Sequence, residues 1–224
     1  MNPKKSRSTP YYPIFLNLQG KKCVVVGGGK VALRKVTALL DCGADITVIS
    51  PKPHAQILKL FKNKALQLVR RNYEPGDLRG AALSVAATHA KKINGKVAKE
   101  AKKDGIMVNV VDDAALSDFI IPSSFRRGDL SVAVSTSGRS PALAKKIRAK
   151  LEKTIGMEYA NLVSLTAEIR SEIKRKGLRV SVKAWQESLD LESLILLLKA
   201  GRHDEAKATL LRKLKPTKKL SKKM

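Results

Sequence analysis

The stretch that decides the fold is Lys22-Cys23-Val24-Val25-Val26-Gly27-Gly28-Gly29-Lys30-Val31-Ala32-Leu33-Arg34-Lys35. An apolar run ends at Gly27, and helix-favouring residues follow. The small residues fit the G-x-G-x-x-A form of a dinucleotide-binding turn. In that form Gly27 makes the tight turn, Gly29 lets a pyrophosphate approach the backbone, and Ala32 packs the helix on the strand. Because helix N-terminal amides attract phosphate, the predicted cofactor contacts are Gly27, Gly28, Gly29, Lys30 and Val31.

On both sides of this turn, strands and helices alternate through the first half of the chain. The apolar patterns predict strands at residues 24–26, 46–49, 66–69, 83–87 and 107–111, and helices at 31–40, 53–61 and 90–103. A series in which strands alternate with helices predicts a Rossmann-type α/β fold, with a parallel sheet covered on both faces.

The pattern changes after the fifth strand. Residues 119–125 and 130–135 indicate a β-hairpin joined through Arg127-Gly128-Asp129, followed by a helix over 142–153 and only helices from residue 157. We therefore expect four regions: a nucleotide-binding domain (1–113), a hairpin and helix (114–154), a C-terminal helical domain (155–214) and a basic disordered tail (215–224).

The composition narrows the classes of partner. The net charge of +26 is spread over both halves of the chain and favours a polyanion: nucleic acid, an anionic membrane or a polycarboxylate substrate. The alternative is a general trait that serves solubility and has no specific partner. The aromatic content of 4% argues against a protein that stacks on single-stranded bases. No apolar run reaches membrane-spanning length. Cys23 and Cys42 lack metal-ligand spacing, so we expect buried thiols in a reducing cytoplasm.

Ligands of an open parallel sheet bind beyond the carboxyl ends of its strands. Ser50, Pro51 and Lys52 follow the second strand and Thr88 follows the fourth, so all four are predicted cofactor contacts. The acid that usually binds the NAD ribose is missing there. Lys52 suits the 2′-phosphate of NADP, whereas the Ser50 hydroxyl suits a ribose hydroxyl, so these residues leave the choice of cofactor open.

Asp112 follows the fifth strand and is the candidate catalytic group. It is predicted to be a general base beside a hydride-transfer centre, with a helix-capping or loop carboxylate as the alternative. Asn109 lies at the end of the same strand. His89 is suited to metal binding or proton transfer, although a lone histidine in a loop is more often neither.

A second anion site is predicted where the helix over 142–153 begins. Ser140 is a natural N-cap and Pro141 fits the first helical position. Free amides at that helix start, together with Arg139, suit carboxylates. The four basic residues that follow fit a solvated helix face.

Four collinear motifs resemble one family. They are residues 13–18 (PIFLNL), residues 26–35 with the Arg34-Lys35 pair, residues 109–112 followed by 119–123, and residues 132–141 (VAVSTSGRSP). Over residues 12 to 214 the chain resembles the dehydrogenase portion of siroheme synthase, in its stand-alone precorrin-2 dehydrogenase form. The sequence shows no methyltransferase region after residue 214, so we expect another protein to methylate uroporphyrinogen.

The resemblance implies a function and a site. Members oxidise precorrin-2 to sirohydrochlorin with NAD⁺ as homodimers, with the hairpin and helical parts at the interface, and their essential aspartate falls on Asp112. Thr136 stands where some members carry a phosphorylated serine. The implied substrate is a polycarboxylate tetrapyrrole, which agrees with the positive charge. The predicted substrate contacts are Asn109, Ser135, Thr136, Arg139 and Ser140.

Three rival functions remain at this point. The protein could also insert Fe²⁺ into sirohydrochlorin, with Asp112 and His89 guiding the metal. It could be a non-catalytic NAD(H)-binding protein that binds nucleic acid, although the sequence lacks a helix-turn-helix or an RNA-binding signature. A short-chain reductase would need a Tyr-x-x-x-Lys pair, and Tyr159 is followed four residues later by Val163. We therefore expect a cytoplasmic enzyme without a membrane partner or a specific nucleic-acid partner.

Overall fold

The computed structural model describes residues 11–214 and 217–218. The chain divides into two compact units, residues 1–121 and residues 122–224. The finer division into four regions remains a prediction.

The first unit contains one five-stranded parallel sheet. Its strands are β1 (Lys22–Val26), β2 (Asp45–Ile49), β3 (Gln67–Val69), β4 (Leu83–Ala86) and β5 (Met107–Val110), in the order β3-β2-β1-β4-β5. The helices are α1 (Lys30–Leu40), α2 (Ala55–Lys62) and α3 (Lys91–Lys103). The predicted Rossmann-type sheet is confirmed. Helix α2 begins two residues later than predicted, because His54 is its N-cap and accepts a hydrogen bond from the amide of Gln56.

Both faces of this sheet are covered, which explains the continuous apolar runs of its strands. Val24 and Val26 point into one core with Val97 and Val108, whereas Val25 points into the other. That second core also contains Cys23, which is fully buried as predicted, and burial raises the pKa of its thiol to about 11. Cys42, at the end of α1, is only half-buried.

The loop after β5 folds back along the outer edge of that strand. The Val108 amide donates to the Asp118 carboxylate (3.0 Å), the Val110 amide donates to the Ser117 hydroxyl (2.8 Å), and the Asp118 amide donates to the carbonyl of Val108 (2.8 Å). The prediction of a strand from residue 119 was therefore wrong at its start, because this loop pairs with β5 and the hairpin begins only at Ser123.

The second unit begins with the predicted hairpin, which is confirmed. Strands β6 (Ser123–Arg127) and β7 (Leu130–Val134) pair antiparallel around Gly128, whose φ of 55° suits the tight turn. Helix α4 (Pro141–Thr154) follows.

The remaining helices of the second unit enclose an apolar core of their own. They are α5 (Met157–Arg175), α6 (Val182–Ser188), α7 (Leu191–Lys199) and α8 (His203–Leu214). Leu162, Leu165, Ile169 and Ile173 recur along one face of α5 and are buried among residues of α7 and α8.

The expectation of helices alone after residue 157 was wrong at one place. Gly177, with φ of 65°, follows α5, and the chain then forms β8 (Leu178–Arg179), which pairs antiparallel with β9 (Thr217–Lys218). Two such short strands carry no hydrophobic period, so the sequence does not reveal them. Strand β9 falls within the predicted disordered tail, whose residues 215–216 and 219–224 lie outside the described part of the chain. Across the described residues, every helix is too short or too polar to cross a bilayer.

Candidate functional site

The three consecutive glycines of the turn after β1 have different surroundings. Gly27 has φ of 126°, and a Cβ atom there would lie 2.4 Å from the carbonyl oxygen of Ala87. A Cβ atom on Gly28 would lie 2.3 Å from the Ser50 Oγ atom. A Cβ atom on Gly29 would meet nothing within 4 Å. Two glycines therefore allow close packing, and the third leaves open space at the start of α1.

The N-terminus of α1 can receive an anion. Gly29 is its N-cap, no side chain caps it, and its first turn contains no acidic residue. The first helical hydrogen bond runs from the Leu33 amide to the Gly29 carbonyl, so the amides of Lys30, Val31 and Ala32 precede the helical ladder. These groups fit the pyrophosphate of a dinucleotide, as the sequence predicts.

The predicted contacts after β2 differ in their exposure. Ser50 is buried, and its hydroxyl accepts a hydrogen bond from the Lys52 amide at 3.3 Å. Pro51 and Lys52 are exposed. The His54 amide donates to the Gly28 carbonyl at 2.8 Å. Ser50 therefore supports the glycine turn, whereas Lys52 is accessible to a ligand.

Thr88, which follows β4, is hydrogen-bonded to residues at the start of α3. Its hydroxyl donates to the Asn94 side chain at 2.7 Å and accepts from the Ala90 amide at 3.2 Å. His89 beside it is exposed. Within residues 11–214 and 217–218, no three His, Cys, Asp or Glu side chains lie close enough together to hold a metal ion.

Asp112 has an uncommon backbone conformation. Its φ of 61° lies in the left-handed region, which aspartate adopts more readily than most residues. The loop hydrogen bonds to the edge of β5 hold this conformation in place, and the Asp112 carboxylate is exposed. Asn109 is buried and its amide donates to the Phe119 carbonyl at 3.0 Å, so that amide braces the same loop.

A shallow cavity of about 280 Å³ lies beside Asp112. Asn109 and Asp112 line it together with Arg34 and Lys35 of α1, and Ile120 and Ile121 contribute apolar surface. Arg34 and Lys35 were not among the predicted site residues. The available signal was their place in the glycine motif, one helical turn beyond Val31.

Lys35 is half-buried in this cavity. Burial is the main cause that lowers the pKa of its ammonium group, the charge of Arg34 lowers it further, and the charge of Asp112 opposes both effects. An additional negative charge beside Lys35 would therefore stabilise its charged ammonium form.

The other predicted site residues lie together in one loop of the second unit. Ser140 caps α4 by accepting a hydrogen bond from the Leu143 amide at 3.3 Å, and its own amide donates to the Thr136 hydroxyl at 3.0 Å. The Ser135 hydroxyl accepts from the Ser137 amide at 3.0 Å. Arg139 is exposed. The short side chains thus shape the loop, and Arg139 is its accessible cation.

Two family models match parts of the chain. A model described as "Putative NAD(P)-binding" matches residues 14–123. A model described as the central part of a sirohaem biosynthesis protein matches residues 127–154. The first supports a nicotinamide cofactor and does not distinguish NAD from NADP.

Similar proteins cover most of the chain. The siroheme synthase of Vesicomyosocius okutanii is 37% identical over 204 residues, which are 89% of this chain and 43% of that protein. The siroheme synthase of Nitrosococcus oceani is 38% identical over 202 residues, again 89% and 43%. The chain therefore spans less than half the length of these relatives.

One solved structure matches along its whole length. The structure of SirC, a precorrin-2 dehydrogenase, is 30% identical, with a TM-score of 0.73, and the match covers 90% of this chain and all of SirC. This extent of similarity includes both units. The chain therefore belongs to the family of siroheme synthases and precorrin-2 dehydrogenases.

Proposed function

We propose that this protein oxidises precorrin-2 to sirohydrochlorin with NAD⁺, as a step of siroheme biosynthesis. The observation that carries the proposal is the position of Asp112. It lies at the carboxyl end of the parallel sheet, in the same unit as the dinucleotide turn, in a chain that matches a precorrin-2 dehydrogenase over that protein's full length.

The cofactor would be held at the start of α1. The open space at Gly29 and the amides of Lys30 and Val31 suit the pyrophosphate, and the exposed residues Pro51 and Lys52 flank the adenosine side. Bound NAD⁺ supplies the hydride acceptor. The chain itself binds and orients both reactants.

The role proposed for Asp112 is proton acceptance or substrate orientation at its carboxylate oxygens. The carboxylate is exposed beside the cavity that Arg34 and Lys35 line, so a reduced macrocycle could place an N–H or C–H group against it. The left-handed backbone of Asp112 directs this residue away from the course of β5.

We propose NAD⁺ rather than NADP⁺ because NAD⁺ is the usual cofactor of the family that the chain resembles. The exposed Lys52 makes the choice testable, since its charge would favour a 2′-phosphate. The predicted cytoplasmic location and the absence of a nucleic-acid partner remain predictions.

A homodimer is proposed on the same resemblance. Leu143 and Ile147 support it, since both are large, apolar and exposed on one face of α4 (49% and 39% exposed). Iron insertion also remains a prediction, with Fe²⁺ as a substrate rather than a resident metal.

The test is anaerobic turnover of precorrin-2 by Asp112→Ala and Asp112→Asn, followed by NADH absorbance. Loss of a general base costs about 10²- to 10⁴-fold in rate, so we expect both variants to lose NADH formation while NADH binding is unchanged. Asn tolerates the left-handed backbone and separates loss of the charge from strain.

Asp104→Asn is the matched control, because Asp104 is also an exposed aspartate of the first unit. Turnover by Asp112→Asn at the wild-type rate would exclude the role proposed for Asp112. The cofactor assignment would be overturned if the wild type prefers NADP⁺ and the Lys52→Ala variant lacks that preference. Siroheme formation on addition of Fe²⁺ would establish the second activity.

A further inference from the structure

We infer that Lys35 binds a carboxylate of the tetrapyrrole substrate in the cavity beside Asp112, with Arg34 contributing positive charge at the same place. This inference rests on the proposed function and assigns part of the substrate contact to α1, a helix whose first turn suits the cofactor.

The first support is the state of the Lys35 side chain. It is half-buried, and among the described residues it makes no hydrogen bond and no ion pair. Taking an ammonium group out of water without a close partner is unfavourable. In the described part of the chain, Asp112 is the one carboxylate whose charge favours the charged form of Lys35, and the charge of Arg34 opposes it. A bound carboxylate would supply the missing partner.

The second support is the composition of the cavity. Asp113 is the other acid of the lining, and its carboxylate already accepts a hydrogen bond from the Leu116 amide at 3.1 Å. Ile121 is 48% exposed and gives the cavity an apolar side. Cationic groups next to apolar surface suit an apolar macrocycle that carries carboxylates on its rim.

The third support is the geometry of α1. Lys35 lies five residues after Lys30, about 7.5 Å further along the helix axis at 1.5 Å per residue. One rigid helix would therefore receive the cofactor phosphates at its start and a substrate carboxylate beyond its first turn.

The experiment compares Lys35→Met, Lys35→Arg and the control Lys99→Met. Methionine keeps most of the side-chain volume and removes the charge. Lys99 is an exposed lysine of α3 in the same unit, so its variant makes the same change in net charge. Three quantities are measured anaerobically for each protein: the KM and kcat for precorrin-2, the Kd for sirohydrochlorin without cofactor, and the Kd for NADH.

We expect Lys35→Met to raise the KM for precorrin-2 and the Kd for sirohydrochlorin about 10- to 100-fold, the effect of losing one charge-assisted hydrogen bond. Its kcat should change less than about threefold and its Kd for NADH should not change, because those quantities do not depend on the lost contact. Lys35→Arg should restore most of the affinity, and Lys99→Met should match the wild type.

Two results would overturn the inference. If Lys35→Met lowers kcat and leaves the KM for precorrin-2 and the Kd for sirohydrochlorin unchanged, Lys35 only positions Asp112. If Lys99→Met weakens substrate binding as much as Lys35→Met, the effect is that of net charge. Wild-type protein that binds NADH but neither oxidises precorrin-2 nor binds sirohydrochlorin would instead refute the proposed function.

Discussion

The three glycines of the turn after β1 differ in what surrounds them. Gly27 and Gly28 lie against Ala87 and Ser50, so their missing side chains serve packing. Gly29 faces open space with φ of −81° and ψ of −173°, which other residues adopt without strain. Its missing side chain leaves room for the proposed phosphate site.

Alanine at Gly28 should therefore affect stability, whereas alanine at Gly29 should affect cofactor binding. Gly28→Ala should destabilise the protein by about 1–3 kcal/mol, because the new Cβ atom would overlap Ser50 and Pro53. Gly29→Ala should fold like the wild type and bind NADH at least about tenfold more weakly. Urea unfolding and NADH titration of both variants measure this, and normal NADH affinity in Gly29→Ala would contradict the proposed phosphate site.

The sequence predicts the local roles of single residues better than it predicts their hydrogen-bond partners. The glycine motif and Ser140 as an N-cap could be identified, because both depend on neighbours along the chain. The hydrogen bonds of Thr88 and Asn109 could not, because Asn94 and Phe119 reach them only in the folded unit. Lys35 was missed because the cavity that it lines with Asn109 and Asp112 forms only in the folded unit.

Among the elements, α3 holds the turn-rich connector after β3. Glu100 of α3 accepts hydrogen bonds from the Tyr73 hydroxyl, the Gly76 amide (3.0 Å) and the Leu78 amide (3.1 Å). Burial, followed by the hydrogen bond and charge of Glu100, raises the pKa of Tyr73 above its ordinary value. One carboxylate thus fixes a connector that lacks regular secondary structure.

Glu100→Gln should lower the free energy of unfolding by about 1–3 kcal/mol, since one acceptor oxygen becomes an amide donor. Glu74→Gln is the control, because the Glu74 side chain is exposed and, among the described residues, makes only an ion pair with Arg71 at 3.7 Å. Chemical unfolding at pH 7 measures both. The contribution of the Tyr73 hydroxyl to the free energy of unfolding should persist up to about pH 10, where tyrosine ionises in the unfolded chain. It should disappear at higher pH. Equal stability of the two variants would exclude this role.

Elements with a local apolar pattern were predictable, and elements that depend on distant pairing were not. The five strands of the sheet are mostly apolar and lie beside turn residues, so their pattern reveals them. The start of β6 was misjudged because the apolar residues before it line a loop along β5. Strands β8 and β9 depend on backbone pairing between distant segments, which has no local signal.

For the whole molecule, the positive charge and the exposed apolar face of α4 bear on assembly. The net charge of +26 opposes association of two copies through long-range repulsion. A dimer therefore needs apolar burial at its interface, and Leu143 and Ile147 offer such surface.

We expect the wild type to sediment as a dimer and the double variant Leu143→Glu/Ile147→Glu to sediment as a monomer, because buried carboxylates oppose the interface. Lys146→Glu, on the exposed part of the same helix, should remain dimeric. Analytical ultracentrifugation at two salt concentrations measures this. A monomeric wild type would refute the dimer, and a dimeric double variant would place its interface elsewhere.

The loop along β5 has a further consequence for the behaviour of the protein at high concentration. An outer strand with bare amides and carbonyls is a template for adding strands from other molecules, which leads to aggregation. Here Ser117 and Asp118 satisfy the amides of Val110 and Val108. The segment that holds Asp112 in place therefore also blocks this edge, so we expect changes there to affect solubility as well as the proposed role of Asp112.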